Sequence, residues 1–126
     1  MKRIAIITSG GDAPGMNAVI RAATLTAIKA GCEVFGVKRG FQGLLTGDIV
    51  QLTSMGVSDI LHRGGTILHS ARSQEFKTEE GREKAAKQLQ DLGIEGLVVI
   101  GGDGSFRGAQ ELSRLGFATV GVPGTI

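Results

Sequence analysis

The amino-acid sequence predicts an α/β protein built around a mainly parallel β-sheet. Short apolar segments typical of strands alternate with longer segments whose apolar residues recur at helical spacing, which is the order of βαβ units. The strand-like segments are apolar without polar alternation, as expected where helices cover both faces of a sheet. Glycine is the third observation, because the 126 residues include 21 glycines and several directly follow helix-like segments. Glycine there is typical of a helix C-terminus.

The elements follow one another along the chain. Helix 15–30 is predicted by apolar residues at Met16, Ile20 and Ala27 on one face, and Thr78 is the N-cap of a helix that ends at Gly93. A third helix spans 105–115, while 41–55 holds a short helical turn and an edge strand, and 57–62 a further short helix. The predicted strands are 3–8, 33–38, 94–100 and 118–122, and the predicted C-terminal glycine caps are Gly31, Gly93 and Gly116.

Composition excludes several classes of protein. Hydrophobic residues make up 41% of the chain, enough for a packed core, but no apolar run approaches the ~20 residues of a membrane span. A single cysteine, Cys32, excludes a disulfide framework and a cysteine zinc site. The net charge is +2 without a basic run, and tyrosine and tryptophan are absent, so nucleic-acid binding by stacking is not favoured. We expect a cytoplasmic protein with no membrane or nucleic-acid partner.

Two glycine-rich loops follow predicted strands. Residues 8–17 read TSGGDAPGMN and join the first strand to the first helix, and residues 101–105 read GGDGS. Open parallel sheets bind ligands beyond the carboxyl ends of their strands. Both loops also lead into helix N-termini, where free N–H groups and the dipole favour an anion. Neither loop has the lysine of a P-loop, and G-x-G-x-x-G fails because Gly108 comes one place late.

The carboxylates in these loops leave alternatives open. Asp103 next to phosphates would repel them unless a divalent cation lay between, and Mg²⁺ commonly binds one or two carboxylates plus phosphates. Asp103 could instead only cap a βα turn. Asp12 has the same choice, since it could cap a helix that starts near Pro14. Arg72 lies in a glycine- and hydroxyl-rich loop and suits either a phosphate contact or a solvated position.

Seven stretches of the sequence resemble the amino-terminal part of the bacterial ATP-dependent 6-phosphofructokinases. The resemblance covers all 126 residues and implies a Rossmann-like three-layer sandwich of phosphofructokinase type, here incomplete. It implies an enzyme of glycolysis that transfers the γ-phosphoryl group of MgATP to the 1-hydroxyl of fructose 6-phosphate, and a homotetramer for the full-length protein. The matching stretches are 8–18, 47–49, 62–66, 70–72, 75–77, 96–105 and 122–126.

The resemblance also implies roles for particular residues. Gly11, Arg72 and Thr125 would be catalytic, Asp103 would hold Mg²⁺, and Thr125 and Ile126 would contact the sugar phosphate. The residues implied to bind ATP are Gly11, Phe41, Arg72, Ser73, Phe76, Lys77, Gly102, Asp103, Gly104, Ser105 and Gly108.

Two departures from the family pattern change the expectation. The family's catalytic aspartate would follow Ile126, so we expect residues 1–126 to be part of an ATP-binding domain without the sugar-phosphate domain, and inactive alone. The family's allosteric nucleotide site between subunits corresponds to Arg21, Leu25, Ser54 and Asp59. It uses arginine where Leu25 and Ser54 stand, so the sequence predicts poor activation by ADP.

Two other functions remain open from the sequence. NAD kinases and lipid kinases share a GGDG loop, although the 14–17 and 123–126 segments speak against them. A non-catalytic nucleotide-binding module that kept the loops is the second alternative.

Overall fold

The chain forms a five-stranded sheet with helices on both faces. The computed structural model describes residues 2–10, 15–58, 60, 66–70 and 73–123, with the backbone alone for Asp103. The strands are β1 (Arg3–Thr8), β2 (Glu33–Val37), β3 (Ile49–Leu52), β4 (Gly96–Gly101) and β5 (Ala118–Pro123). The helices are α1 (Met16–Lys29), α2 (Gly40–Thr46), α3 (Glu79–Asp91) and α4 (Asp103–Arg114), with a 3₁₀ turn at Glu75–Lys77.

The sheet has the strand order β3-β2-β1-β4-β5. Three of its pairings are parallel, namely β1 with β2, β1 with β4 and β4 with β5. Strand β3 pairs antiparallel with β2 at the edge. The prediction of a mainly parallel α/β sheet is therefore confirmed.

Alternate residues of the central strands enter two separate cores. Ala5 and Ile7 of β1 pack with Leu97 and Val99 of β4 beneath helices α2, α3 and α4. Ile6 and Ile100 face the other way and pack against Met16 and Ile20 of α1. This alternation explains why the strands carry no polar residues in their centres, since both faces are covered, and it gives three layers.

The predicted helix ends agree with the backbone. Gly31, Gly93 and Gly116 have φ values of +91°, +70° and +104°, the left-handed region that favours glycine after a helix. Thr78 caps α3, because its hydroxyl oxygen accepts the Gly81 N–H at 3.0 Å. Two boundaries move by two residues, because β4 starts at Gly96 rather than at 94 and α4 starts at Asp103 rather than at 105, while others move by one. Half of the predicted helix at 57–62, namely residues 59, 61 and 62, falls outside the described residues.

No helix in the described part of the chain is both long and apolar enough to cross a membrane.

We predict that Thr24→Val stabilises the fold. Thr24 is fully buried in α1, and its hydroxyl finds no hydrogen-bond partner among the described residues. Valine has nearly the same shape and removes the unsatisfied group, which is worth about 1 kcal/mol. Thermal unfolding followed by circular dichroism should show a melting temperature higher by about 3 °C. A fall of that size would mean that the hydroxyl is satisfied.

Candidate functional site

The two glycine-rich loops lie side by side at the carboxyl edge of the sheet. They follow β1 and β4, which are adjacent strands with Thr8 opposite Ile100. From β1 the chain leads to β2 on one side, whereas β4 and β5 lie on the other, so the strand order reverses between β1 and β4. A crevice at such a reversal is the usual ligand site of an open α/β sheet.

Gly101 lets the two loops approach each other. The Ser9 N–H donates to the Ile100 carbonyl oxygen at 2.9 Å, which joins the loop after β1 to the end of β4. A Cβ atom on Gly101 would lie 2.6 Å from the Ser9 carbonyl oxygen and 2.2 Å from Ser105 Oγ. Any side chain at position 101 would therefore push the loops apart.

Helix α4 begins without a side-chain cap. Its N-cap residue is Gly102, and the first intrahelical bond runs from the Phe106 N–H to the Gly102 carbonyl oxygen at 3.1 Å. Asp103 is thus the first helical residue and not the N-cap. The amides of residues 103–105 have no acceptor within the helix, so this end offers N–H donors and the positive end of the dipole.

A pocket of about 850 Å³ opens at this helix end, within the usual size range of small-molecule sites. Its lining comes from both loops, from the start of α2, from the segment around the 3₁₀ turn, and from α3 and α4. The lining residues are Ser9, Gly10, Phe41, Ser70, Ser73, Gln74, Phe76, Lys77, Arg82, Gly102, Gly104, Ser105, Arg107, Gly108 and Glu111.

Two phenylalanines form the apolar wall of the pocket. The rings of Phe41 and Phe76 stack with centroids 4.3 Å apart and an interplanar angle of 16°. Gly108 of α4 lies against them, because a Cβ there would come within 2.6 Å of Phe41 Cζ. Glycine at 108 therefore lets the helix pack directly on the stacked rings.

The charges on the pocket wall are mostly positive. Arg82 is held in place by an ion pair with Glu111 at 2.7 Å, and its guanidinium also donates to the carbonyl oxygens of Lys77 and Thr78 at 3.2 Å. Lys77 and Arg107 are exposed at the rim. Among the described lining residues, three cations face one carboxylate, a balance that favours an anionic ligand.

The pocket brings together most of the residues that the resemblance implies for ATP. Asp103 lies between two of them, and no group of three or more metal-binding side chains occurs among the described residues. Gly11, Arg72, Thr125 and Ile126, as well as Asp12, fall outside the described residues. The implied residues that line the pocket are Phe41, Ser73, Phe76, Lys77, Gly102, Gly104, Ser105 and Gly108.

Sequence reasoning missed three charged residues of the pocket, Arg82, Arg107 and Glu111. Arg107 and Glu111 could have been found, because positions 104, 107, 108 and 111 follow the i, i+3, i+4, i+7 spacing of one helix face and two of these positions were already implied for ATP. Arg82 enters the pocket only through tertiary packing of α3 against α4.

The residues implied for an allosteric site lie away from this pocket. Arg21 and Leu25 are one turn apart on α1, and Leu25 is partly buried against the core. Ser54 is exposed in the turn after β3, and Asp59 is outside the described residues. Among the described residues, no hydrogen bond or ion pair connects Ser54 with helix α1, where Arg21 and Leu25 lie.

The fold and the pocket define a doubly wound α/β protein with a crevice at its topological switch point. A family profile described as phosphofructokinase matches residues 3–126. The chain belongs to the phosphofructokinase family.

Individual relatives agree with this assignment. The chain is 62% identical over 126 residues to a protein of Clostridium botulinum named ATP-dependent 6-phosphofructokinase, and 61% identical to its namesake in Clostridium tetani. Each comparison covers 100% of this chain and 40% of the relative, so the chain spans less than half the length of these relatives. The solved structure of phosphofructokinase from Saccharomyces cerevisiae superposes with a TM-score of 0.91 at 40% identity, over 98% of this chain and 20% of that one.

We predict that Gly108→Ala destabilises the protein, whereas Gly104→Ala does not. A methyl group at 108 would collide with the Phe41 and Phe76 rings, and such overpacking costs about 1–3 kcal/mol. A methyl group at 104 meets no described atom within 4 Å and favours the helix. Chemical denaturation of both variants measures the difference, and equal stabilities would contradict the tight contact at 108.

Proposed function

We propose that this chain is the amino-terminal part of the ATP-binding domain of an ATP-dependent 6-phosphofructokinase. The full-length protein would transfer the γ-phosphoryl group of MgATP to the 1-hydroxyl of fructose 6-phosphate, forming fructose 1,6-bisphosphate and ADP. The observation that carries this proposal is the pocket at the β1–β4 switch point, which unites Phe41, Phe76, Gly102, Ser105 and Gly108 in one cavity. The names of the clostridial relatives support the same reaction.

The pocket has two ends suited to the two parts of a nucleotide. At the polar end, the free amides of α4 and the Ser105 hydroxyl suit phosphate oxygens. At the apolar end, the stacked Phe41 and Phe76 rings suit the nucleoside, with Gly108 allowing a close approach. Lys77 and Arg107 at the rim add positive charge. Phosphoryl transfer depends mainly on such positioning and charge stabilisation.

Magnesium would suit the start of helix α4. Asp103 is its first residue, and a Cβ on either neighbouring glycine, Gly102 or Gly104, would meet no described atom within 4 Å. One carboxylate together with substrate phosphates is a common Mg²⁺ site and needs no ligand cluster. When bound, the ion would neutralise charge on the transferring phosphoryl group.

The remaining assignments rest on the family resemblance. Gly11 would lie against the ATP phosphates, Arg72 would stabilise the transferring group, and Thr125 with Ile126 would position the sugar phosphate. The catalytic base and the sugar-phosphate domain would belong to the rest of the polypeptide. A cytoplasmic homotetramer that acts in glycolysis, without nucleic-acid or membrane partners, is the assembly that the resemblance favours.

The direct test uses the full-length protein that contains this sequence. We expect Mg²⁺-dependent, ATP-dependent phosphorylation of fructose 6-phosphate in an assay coupled to aldolase. Activity with NAD or diacylglycerol and none with fructose 6-phosphate would support the kinases that share the GGDG loop instead. Binding of MgATP without any transfer would support the non-catalytic module.

We predict that Asp103→Ala lowers kcat by about a hundredfold or more while the protein stays folded, because the phosphate charge loses its metal. Asp91→Ala is the matched control, since Asp91 is an exposed carboxylate at the end of α3. The Mg²⁺ dependence of the rate should weaken only in the Asp103 variant. Identical kinetics of the two variants would remove the proposed metal role.

We predict that ADP activates the full-length protein poorly and that Leu25→Arg with Ser54→Arg restores activation. Two added cations would bind the diphosphate, and both positions tolerate the change because Leu25 is only partly buried and Ser54 is exposed. Fructose 6-phosphate saturation curves with and without ADP measure the effect. Strong activation of the unaltered protein would contradict the expectation.

A further inference from the structure

A short segment, Thr66–Ser70, crosses the carboxyl edge of the sheet and leads into the pocket. Hydrogen bonds from three other parts of the chain hold it. The Ile67 N–H donates to Asn17 Oδ1 of α1 at 2.7 Å, and the Arg39 N–H after β2 donates to the Leu68 carbonyl oxygen at 2.8 Å. The Ser70 hydroxyl donates to the Gly10 carbonyl oxygen in the loop after β1.

A further anchor is a pair of buried threonine hydroxyls. Thr8 at the end of β1 is 0% exposed and Thr66 is 5% exposed, and their Oγ1 atoms are 3.0 Å apart. Thr8 Oγ1 also lies 2.9 Å from the carbonyl oxygen of His69, and the Leu68 N–H donates to Thr66 Oγ1 at 3.1 Å.

These contacts determine which group is the donor and which the acceptor in each hydrogen bond. A carbonyl oxygen only accepts, so the single hydroxyl proton of Thr8 goes to His69. Thr66 must then donate its proton to Thr8, and its own oxygen accepts the Leu68 N–H. The bonds form a relay from the Leu68 amide through Thr66 and Thr8 to the His69 carbonyl, and each bond polarises the next.

The relay ends where the backbone takes an unfavourable conformation. His69 has φ = +59°, in the left-handed region that residues other than glycine rarely adopt. This turn sends the chain from the sheet edge towards Ser70 and Ser73, which line the pocket. The hydrogen bond from Thr8 fixes the carbonyl group of that same residue. It therefore opposes a return of His69 to an ordinary extended conformation.

We propose that Thr8 and Thr66 are positioning residues for the nucleotide pocket. Their hydroxyl relay holds the turn at His69 and thereby places Ser70, which lines the pocket and donates to the Gly10 carbonyl oxygen. Neither threonine is among the residues that line the pocket, so both act through this segment. The inference rests on the proposed function in taking MgATP as the ligand.

Substitution of one hydroxyl by a methyl group tests the relay. Thr8→Val keeps the shape of the side chain but leaves the His69 carbonyl without its donor, whereas Thr8→Ser keeps the hydroxyl. Thr24→Val is the matched control, because Thr24 is an equally buried threonine whose hydroxyl has no partner among the described residues. Isothermal titration of the full-length protein with MgATP compares the three variants.

We expect Thr8→Val to weaken MgATP binding about five- to tenfold, the size of one lost hydrogen bond, and Thr8→Ser and Thr24→Val to stay within about twofold of the unaltered protein. A loss in Thr8→Ser as large as that in Thr8→Val would overturn the proposal, because a variant that keeps the hydroxyl would then bind MgATP no better than one that lacks it. Unchanged binding in Thr8→Val would overturn it as well.

A second variant, Thr66→Val, tests the relay if Thr8→Val does not fold. Its measurement does not depend on nucleotide binding, so it also separates this inference from the proposed function. Thr66→Val removes the acceptor of the Leu68 N–H, so amide hydrogen exchange in segment 66–73 should quicken at least about tenfold without a change in α1. Unchanged exchange would contradict the relay whether or not MgATP binds. If the unaltered protein binds no MgATP, the proposed function fails, and the relay's role in nucleotide binding fails with it.

Discussion

The parallel pairing of β1 with β4 is the contact on which the rest of the site depends. It sets the loop after Thr8 next to the loop after Gly101, at the one place where the strand order reverses. That proximity is close enough that Gly101 has no room for a side chain beside the Ser9 carbonyl oxygen. The two cores on either face of these strands contain residues of both, so apolar packing on each side stabilises the pairing.

The opposite wall of the pocket is positioned by polar contacts and not by the sheet. Residues 66–70 and 73–77 belong to no strand. The backbone groups of 66–70 find partners in Asn17, Thr8 and Arg39, and the Lys77 carbonyl oxygen accepts from Arg82. Buried hydrogen bonds of this kind are directional, and a broken one leaves an unsatisfied group. They suit a wall that must present hydroxyl and aromatic side chains at set distances.

Much of the fold could be predicted because its signals are local. The apolar runs of β1 and β4, the Thr78 cap and the glycines after α1, α3 and α4 each involve a few neighbouring residues. The sequence also predicts the edge strand within 41–55, but its antiparallel direction and the second pocket wall could not be predicted in the same way. The bonds of Thr8 to Thr66 and His69 join residues 58 and 61 positions apart, and no pattern in either segment indicates them. Arg82 and Glu111 likewise pair only after α3 has packed on α4.

The glycines of the site divide into two groups by the space around them. Gly101 and Gly108 are required by their own neighbours, since a Cβ at either would collide with protein atoms. Gly102 and Gly104 meet no described atom within 4 Å and have no positive φ, and Gly104 lies within the first turn of α4, where glycine costs up to about 1 kcal/mol relative to alanine. The described part of the chain gains nothing from that cost. The absence of side chains at these two positions lets a ligand in the pocket approach the first turn of α4 closely. The phosphate chain of the proposed nucleotide would use that space, because its oxygens could accept from the free amides there.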